Sequence, residues 1–323
     1  MKKLMLMALV LLLAAGVMPL FARGGGEAAR PDQITIAVVP KGLDNPVFLD
    51  TKSGAEAAGA ELGVRIIWTG PVRADATEQV AVLEGLIQQG VDGILVSAND
   101  PTALNSVIQS ATDAGIKVAT FDSDAPESAR LFYAGSDNYV LGETSAQLLV
   151  ELAEGMRAPV DTAVLTGVLG AFNLEERIRG VRDTVAGTNV RIASVQAGED
   201  DIDRSVQVIE DYTEANPGLD AWIFVGGWPF FAPPETLSAL RRFRDRGGLV
   251  VSVDSFYPML EFVEEGMADY LVGQNFFAMG DLGVRHLLRA INGETIAQEI
   301  IDTGLEIVNP DNVAEVKAAK DPW

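Results

Sequence analysis

Short β-branched runs alternate with stretches at helical spacing along almost the whole chain, and this alternation decides what the chain folds into. Runs at 34–39, 64–68, 93–96, 117–121 and 131–134 have the length and side-chain type of buried strands. Between them, Val80, Leu83, Leu86 and Ile87 share one helical face, as do Leu104, Val107, Ile108 and Ala111. Asp100-Pro101 supplies an N-cap and a first-turn proline for the second of these helices. Gly90 and Gly115 stand where the helices should stop. The pattern then restarts, with strands expected at 162–165, 191–195, 221–225, 249–253 and 270–272. Helices fit 139–154, 174–185, 203–215, 234–246, 257–265 and 280–291. Strands that alternate with helices form parallel sheets covered on both faces. Ten strands are too many for one comfortable twisted sheet, so the expected fold class is α/β with two doubly wound parallel-sheet lobes. The first break falls near Asp137-Asn138.

Ahead of this body, Lys2 and Lys3 precede an apolar run from Leu4 to Phe21. A basic start followed by an apolar core reads as a secretory signal over 1–22, with a retained anchor as the competing reading. Leu20 is a poor residue for cleavage after Ala22. Residues 23–33 read as a flexible leader. No cysteine is present, which removes disulfides, thiolate metal sites, thiol catalysis and a lipid-anchored cysteine. The formal charge of −22 makes nucleic acid and anionic membranes poor partners.

Doubly wound sheets bind ligands beyond the carboxyl ends of their strands. That rule selects Lys41, Asn45, Thr69-Gly70, Asn99, the 122–124 segment, Trp228, Asp254-Ser255 and Gln274-Asn275. The set is rich in carboxylates, amides and aromatics. The one histidine, His286, lies inside a helical stretch, so triad-type catalysis has no base, and no metal site is expected. No phosphate-cradling glycine motif follows a strand, so no nucleotide cofactor is expected. The run 200–203 lacks calcium-loop spacing and reads as a turn plus a helix N-cap. Polyol recognition fits the set better. Hydroxyls need carboxylate and amide acceptors with Arg, Asn, Gln or Lys donors, and the C–H face of a ring wants a flat aromatic. Asn45, Phe48, Asp122, Arg177, Trp228, Asp254 and Gln274 supply these groups. Each also has a plainer reading, as a helix cap, a turn residue, a core aromatic or a loop anchor.

The segments IAVVPKGLDNPVF, GPVRADATEQVAVLEGLIQQGVDGILVSANDP, TFDSDAP, YAGSDNYVLG, NLEERIRGV, VVSVDS and LVGQN run in order over about 34–308. Together they resemble the periplasmic sugar-binding proteins of the ribose type. The resemblance implies the type I periplasmic binding fold: two similar lobes joined by three hinge crossovers, closing on a ligand. One lobe is then 34–136 plus 275–302 and the other 137–274 plus 303–323. By position, Asn45, Phe48, Asp122, Arg177, Asp254 and Gln274 match the family's ligand-contacting residues. Ser123 stands where ribose binders have Arg, Val47 where they have a second aromatic, and Gly227 where they have Asn, with Trp228 beside it. These departures point away from ribose and toward a hexose or xylose. Pro40-Lys41, Gly70-Pro71 and the 121–124 segment also resemble the branch that holds rhamnose- and autoinducer-2-binding proteins, which makes Lys41 a further ligand candidate.

The resemblance implies no enzyme activity, a small sugar or polyol as ligand, the permease subunits of an ABC importer as partner, a monomer, and a periplasmic location. A chemosensory receiver is the first rival. A transcriptional repressor would need a DNA-binding segment before the first strand. An α/β enzyme would have to work with paired aspartates.

Overall fold

The computed structural model describes residues 33–320. The signal segment expected at 1–22 and the leader through residue 32 lie outside the described residues, as do residues 321–323. No helix among the described residues is long and apolar enough to cross a membrane.

The chain forms two six-stranded sheets. The first holds β1 (Thr35–Val39), β2 (Arg65–Trp68), β3 (Gly93–Val96), β4 (Lys117–Phe121), β5 (Tyr133–Gly135) and β11 (Ile300–Asp302). The second holds β6 (Val160–Thr166), β7 (Val190–Ala197), β8 (Ala221–Phe224), β9 (Leu249–Val253), β10 (Tyr270–Gln274) and β12 (Leu305–Val308). Their orders, β11-β5-β4-β3-β1-β2 and β12-β10-β9-β8-β6-β7, are the same order repeated. The pattern that restarts in the sequence is thus a repeated lobe. Strand interiors such as Ile36–Val39 and Ala221–Phe224 are fully buried because helices cover both faces. Helices α1 (Phe48–Leu62), α2 (Ala76–Gln89), α3 (Pro101–Asp113) and α9 (Phe276–Ile291) serve the first sheet. Helices α4 (Asn138–Leu152), α5 (Phe172–Val185), α6 (Ile202–Ala215), α7 (Ser238–Asp245), α8 (Tyr257–Glu264) and α10 (Val313–Ala319) belong to the second.

The helix ends follow the local chemistry. Asp100 accepts from the backbone N–H groups of Thr102 and Ala103 ahead of Pro101, and Gly90 ends α2 in the left-handed conformation (φ 68°). The helix expected over 234–246 is divided. Pro233-Pro234 open a separate 3₁₀ turn, and α7 starts at Ser238. His286 Nδ1 donates to Leu282 O of its own helix at 2.8 Å, and the ring packs edge-on against Phe132.

The chain passes between the sheets three times: after β5, after β10 and between β11 and β12. The last passage explains the one departure from parallel pairing. Strand β11 runs parallel to β5, toward the interface between the sheets, and continues through Thr303-Gly304 directly into β12. Strand β12 therefore enters the second sheet from that interface and runs antiparallel to β10.

Candidate functional site

The carboxyl ends of the two sheets face one cleft. Eight of the nine residues expected at a ligand site line it: Lys41, Asn45, Phe48, Asp122, Arg177, Trp228, Asp254 and Gln274. Asn173, Asp200 and Phe276 join them. The space among these side chains is about 30 Å³, and a chamber of about 650 Å³ shares Lys41, Asn45 and Asp200 with it.

Two aspartates hold equivalent places in the repeated lobes. Asp122 follows β4 and Asp254 follows β9, and both adopt positive φ, 54° and 76°. Such a conformation strains any side chain, and aspartate is among the residues that tolerate it. Here it turns the carboxyl group out of the strand direction and into the cleft. Asp122 accepts from Ser97 Oγ at 2.7 Å. Asp254 accepts from Gln274 Nε2 at 2.9 Å and from the Gly227 N–H at 3.1 Å.

Arg177, on α5, is 2 % exposed. Its Nε donates to Asn138 Oδ1 (2.8 Å), Nη1 to the Val225 carbonyl (2.8 Å) and Nη2 to Gln274 Oε1 (3.2 Å), with Asp122 Oδ1 3.8 Å away. Lys41 follows β1, and its carbonyl is held by Asn99 Nδ2 at 2.9 Å. Its Nζ crosses the cleft to donate to Asn173 Oδ1 at 2.9 Å and lies 3.9 Å from Asp200 Oδ2. The aromatic walls are equally fixed. Phe48 opens α1 and packs edge-on against Phe121 and Phe276. It is both a core residue and a wall of the cleft. Trp228 opens a 3₁₀ turn after β8 and is 6 % exposed.

Glycines make room for this set. A Cβ at Gly226 would lie 2.5 Å from the Trp228 ring, and one at Gly167 would lie 1.7 Å from Asp200 Oδ1. Gly167 and Gly226 follow β6 and β8, and their missing side chains leave the space that Asp200 and Trp228 occupy in the cleft. Reading 200–203 as a turn and a cap is right for Asp201, which accepts from Arg204 N, but it passes over Asp200. Ser123 is placed elsewhere. Its side chain is fully buried, does not line the cleft, and its Oγ has no hydrogen-bond partner among the described residues. The tight turn that aims Asp122, with Ser123 N donating to Phe121 O at 2.5 Å, points the next side chain into the lobe.

Asp124 is also occupied. It binds Arg130 through two bonds of 2.6 and 2.7 Å. No group of three or more potential metal ligands occurs among the described residues.

Burial pushes the Asp200 and Asp254 carboxyls above the ordinary carboxylate range, partly opposed by Lys41 at the first and Arg177 at the second. A carboxyl raised in this way holds its proton more readily in the native protein than in the unfolded chain. Its contribution to stability is full below the unfolded value and is lost as pH rises through the native one. These two carboxyls should therefore contribute a gain in thermal stability as pH falls from neutral toward the carboxylate range. Asp254→Asn should show a smaller gain, read as the slope of Tm against pH; equal slopes contradict the assignment.

The family described as periplasmic binding protein domain matches residues 36–295. The ribose import binding protein of Bacillus subtilis is 25% identical over 299 residues, covering 91% of this chain and 93% of its own length. A D-ribose/D-allose-binding protein of Pseudomonas aeruginosa is 26% identical over 318 residues, covering 94% and 97%. Among solved structures, an ABC transporter solute-binding protein from Burkholderia graminis, in complex with D-arabinose, superposes with a TM-score of 0.81 at 33% identity, covering 88% of this chain and 98% of that one. The duplicated α/β lobes, the cleft between them and these matches agree: the chain belongs to the periplasmic binding proteins of the two-lobed type I fold, and is a binding protein, not an enzyme.

Proposed function

We propose that this protein captures a small sugar, an aldose such as glucose or xylose, in the cleft between its lobes and hands it to the permease subunits of an ABC importer. The carrying observation is the buried ring of Asp122, Arg177, Asp254, Gln274 and Lys41 walled by Phe48 and Trp228. It combines acceptors, donors and flat apolar surfaces in the proportions a polyol needs. The sugars of these relatives, ribose, allose and arabinose, support a monosaccharide.

One lobe is 34–136 with 275–302 and the other 137–274 with 303–320, and closure about the three crossovers is the working motion. Lobe opening is needed for entry, because about 30 Å³ holds only two or three waters, at ~10–15 Å³ each. Sugar then bridges Asn45, Phe48 and Asp122 on one side and Arg177, Trp228 and Asp254 on the other. It shifts the population toward the closed form by its preference for that form. The protein acts as a monomer in the periplasm, exported by the signal segment at 1–22.

A second reading is a rhamnose- or autoinducer-2-like ligand. It is favoured by Lys41, whose ammonium group lies buried in the cleft at Asn173. Both readings are tested by one panel of aldoses, deoxysugars and small polyols. At a ligand concentration of about 100 times Kd, binding adds ~2.7 kcal/mol, which moves Tm upward by about 5 °C or more. Small-angle scattering should show compaction with the same compound. A panel in which no member raises Tm or compacts the protein would sink both.

A further inference from the structure

The strained carbonyl of Asp122 is held by two residues that no ligand-site rule selects. Asn138 Nδ2 donates to Asp122 O at 3.1 Å and to Tyr133 Oη at 3.2 Å. The single phenol proton of Tyr133 is shared between Ser136 O (2.9 Å) and Asp122 O (3.0 Å). Tyr133 is buried, and Gly135 leaves space for it: a Cβ there would lie 2.3 Å from Oη. The other end of the Asn138 amide accepts from Arg177 Nε. One amide therefore fixes both the acid of one lobe and the guanidinium of the other.

The same network reaches every passage between the lobes. Tyr133, Ser136 and Asn138 flank the first. Arg177 bonds Gln274, which ends β10 at the second. Ser136 Oγ donates to Gly304 O at 2.8 Å in the third. A rotation at any passage thus changes the bonds that aim Asp122 and Arg177. We infer that Tyr133 and Asn138 are positioning residues that couple the hinge to the ligand-facing groups, so that closing the lobes and aiming Asp122 and Arg177 are one event. The inference rests on the cleft being the ligand site, as proposed above.

The test uses Tyr133→Phe, which keeps the ring and removes the hydroxyl. The chain has no cysteine, so Glu84→Cys and Asp211→Cys, on exposed faces of α2 and α6, accept distance labels specifically. Without sugar, Tyr133→Phe should broaden the inter-lobe distance distribution toward longer values. With D-arabinose and D-ribose as probes, its Kd should rise about tenfold for whichever binds, the size expected when a buried acceptor loses a donor. Combined with Asp122→Asn, the two losses should fall short of multiplying.

Asn138→Asp, which keeps the shape, should move both readouts the same way and stands in if the first variant fails to fold. A lower Tm with unchanged distances and a Kd within twofold of wild type overturns the inference and leaves Tyr133 a core residue. If neither sugar binds the wild type, the sugar-free distances still decide it, and the choice of ligand is then judged by the panel alone.

Discussion

Arg177→Met should abolish sugar capture and lower Tm by roughly 10 °C. The substitution keeps much of the side-chain volume and removes every donor. Asn138 Oδ1 and the Val225 carbonyl then lose their partners inside the protein. Each buried acceptor left bare costs about 1–3 kcal/mol. Asp122 also loses the cation 3.8 Å away. Removing one member of a buried charged set typically costs about 3–5 kcal/mol, which sets the Tm estimate. The loss in affinity should be at least ~100-fold, because two ligand-facing groups are disturbed at ~1.4 kcal/mol per tenfold.

Arg177→Lys should recover part of the stability and little of the affinity. One ammonium group cannot reach Asn138, Val225 and Gln274 as the planar fork does. Arg179 is the control on the same helix. It lies on the outer face, pairs with Glu176 and is 55 % exposed, so Arg179→Met should change Tm and Kd very little. Isothermal calorimetry with a sugar that binds the wild type reads the result. An unchanged Kd in Arg177→Met would remove Arg177 from the ligand site.

Much of this site is legible in the sequence, and the parts that are not have identifiable physical causes. Asp122, Asp254 and Gln274 follow or end strands that their own sequence announces, so the strand-end rule finds them directly. Trp222, inside β8, is core: it is fully buried, with Nε1 donating to Thr213 Oγ1 at 3.0 Å. Ser123 satisfies the same rule and still leaves the cleft. A backbone turn of one residue, set by the positive φ of Asp122, reverses which side chain faces the cleft. Strand proximity in sequence does not carry that information.

Asp200 was hidden by its neighbour, since Asp201 accounts for the local pattern by capping α6. Strands β11 and β12 escaped because each is only three or four residues long and mostly exposed along one side. What makes them strands is pairing with β5 and β10, and the β11 partners are more than 160 residues distant in the chain. In each case the missing fact is a contact that only the assembled lobes create.

Gly142→Ala should destabilise the protein by about 2–4 kcal/mol and weaken sugar binding, although Gly142 does not line the cleft. Helices α4 and α5 cross with their backbones in contact. A Cβ at Gly142 would lie 1.9 Å from the Arg177 carbonyl oxygen, and one at Gly180 would lie 2.2 Å from Tyr139 O. Neither obstacle is a flexible side chain, so the helices must move apart. Overpacking of this kind costs about 1–3 kcal/mol, more where backbone must shift. The movement is applied at the Arg177 backbone itself, which withdraws the guanidinium from Asn138 and Gln274. The first lobe repeats the device at α1 and α9, where a Cβ at Gly54 would lie 2.0 Å from Phe277 O.

The same chemical change should have the opposite sign at Gly85. That residue lies within α2, where an added Cβ meets nothing within 4 Å. Alanine there reduces the entropy of the unfolded chain and should stabilise by about 0.5–1 kcal/mol with Kd unchanged. Denaturant unfolding and calorimetry on the two variants separate the cases. Equal effects at both positions would mean that helix propensity, and not the close crossing beneath Arg177, governs residue 142.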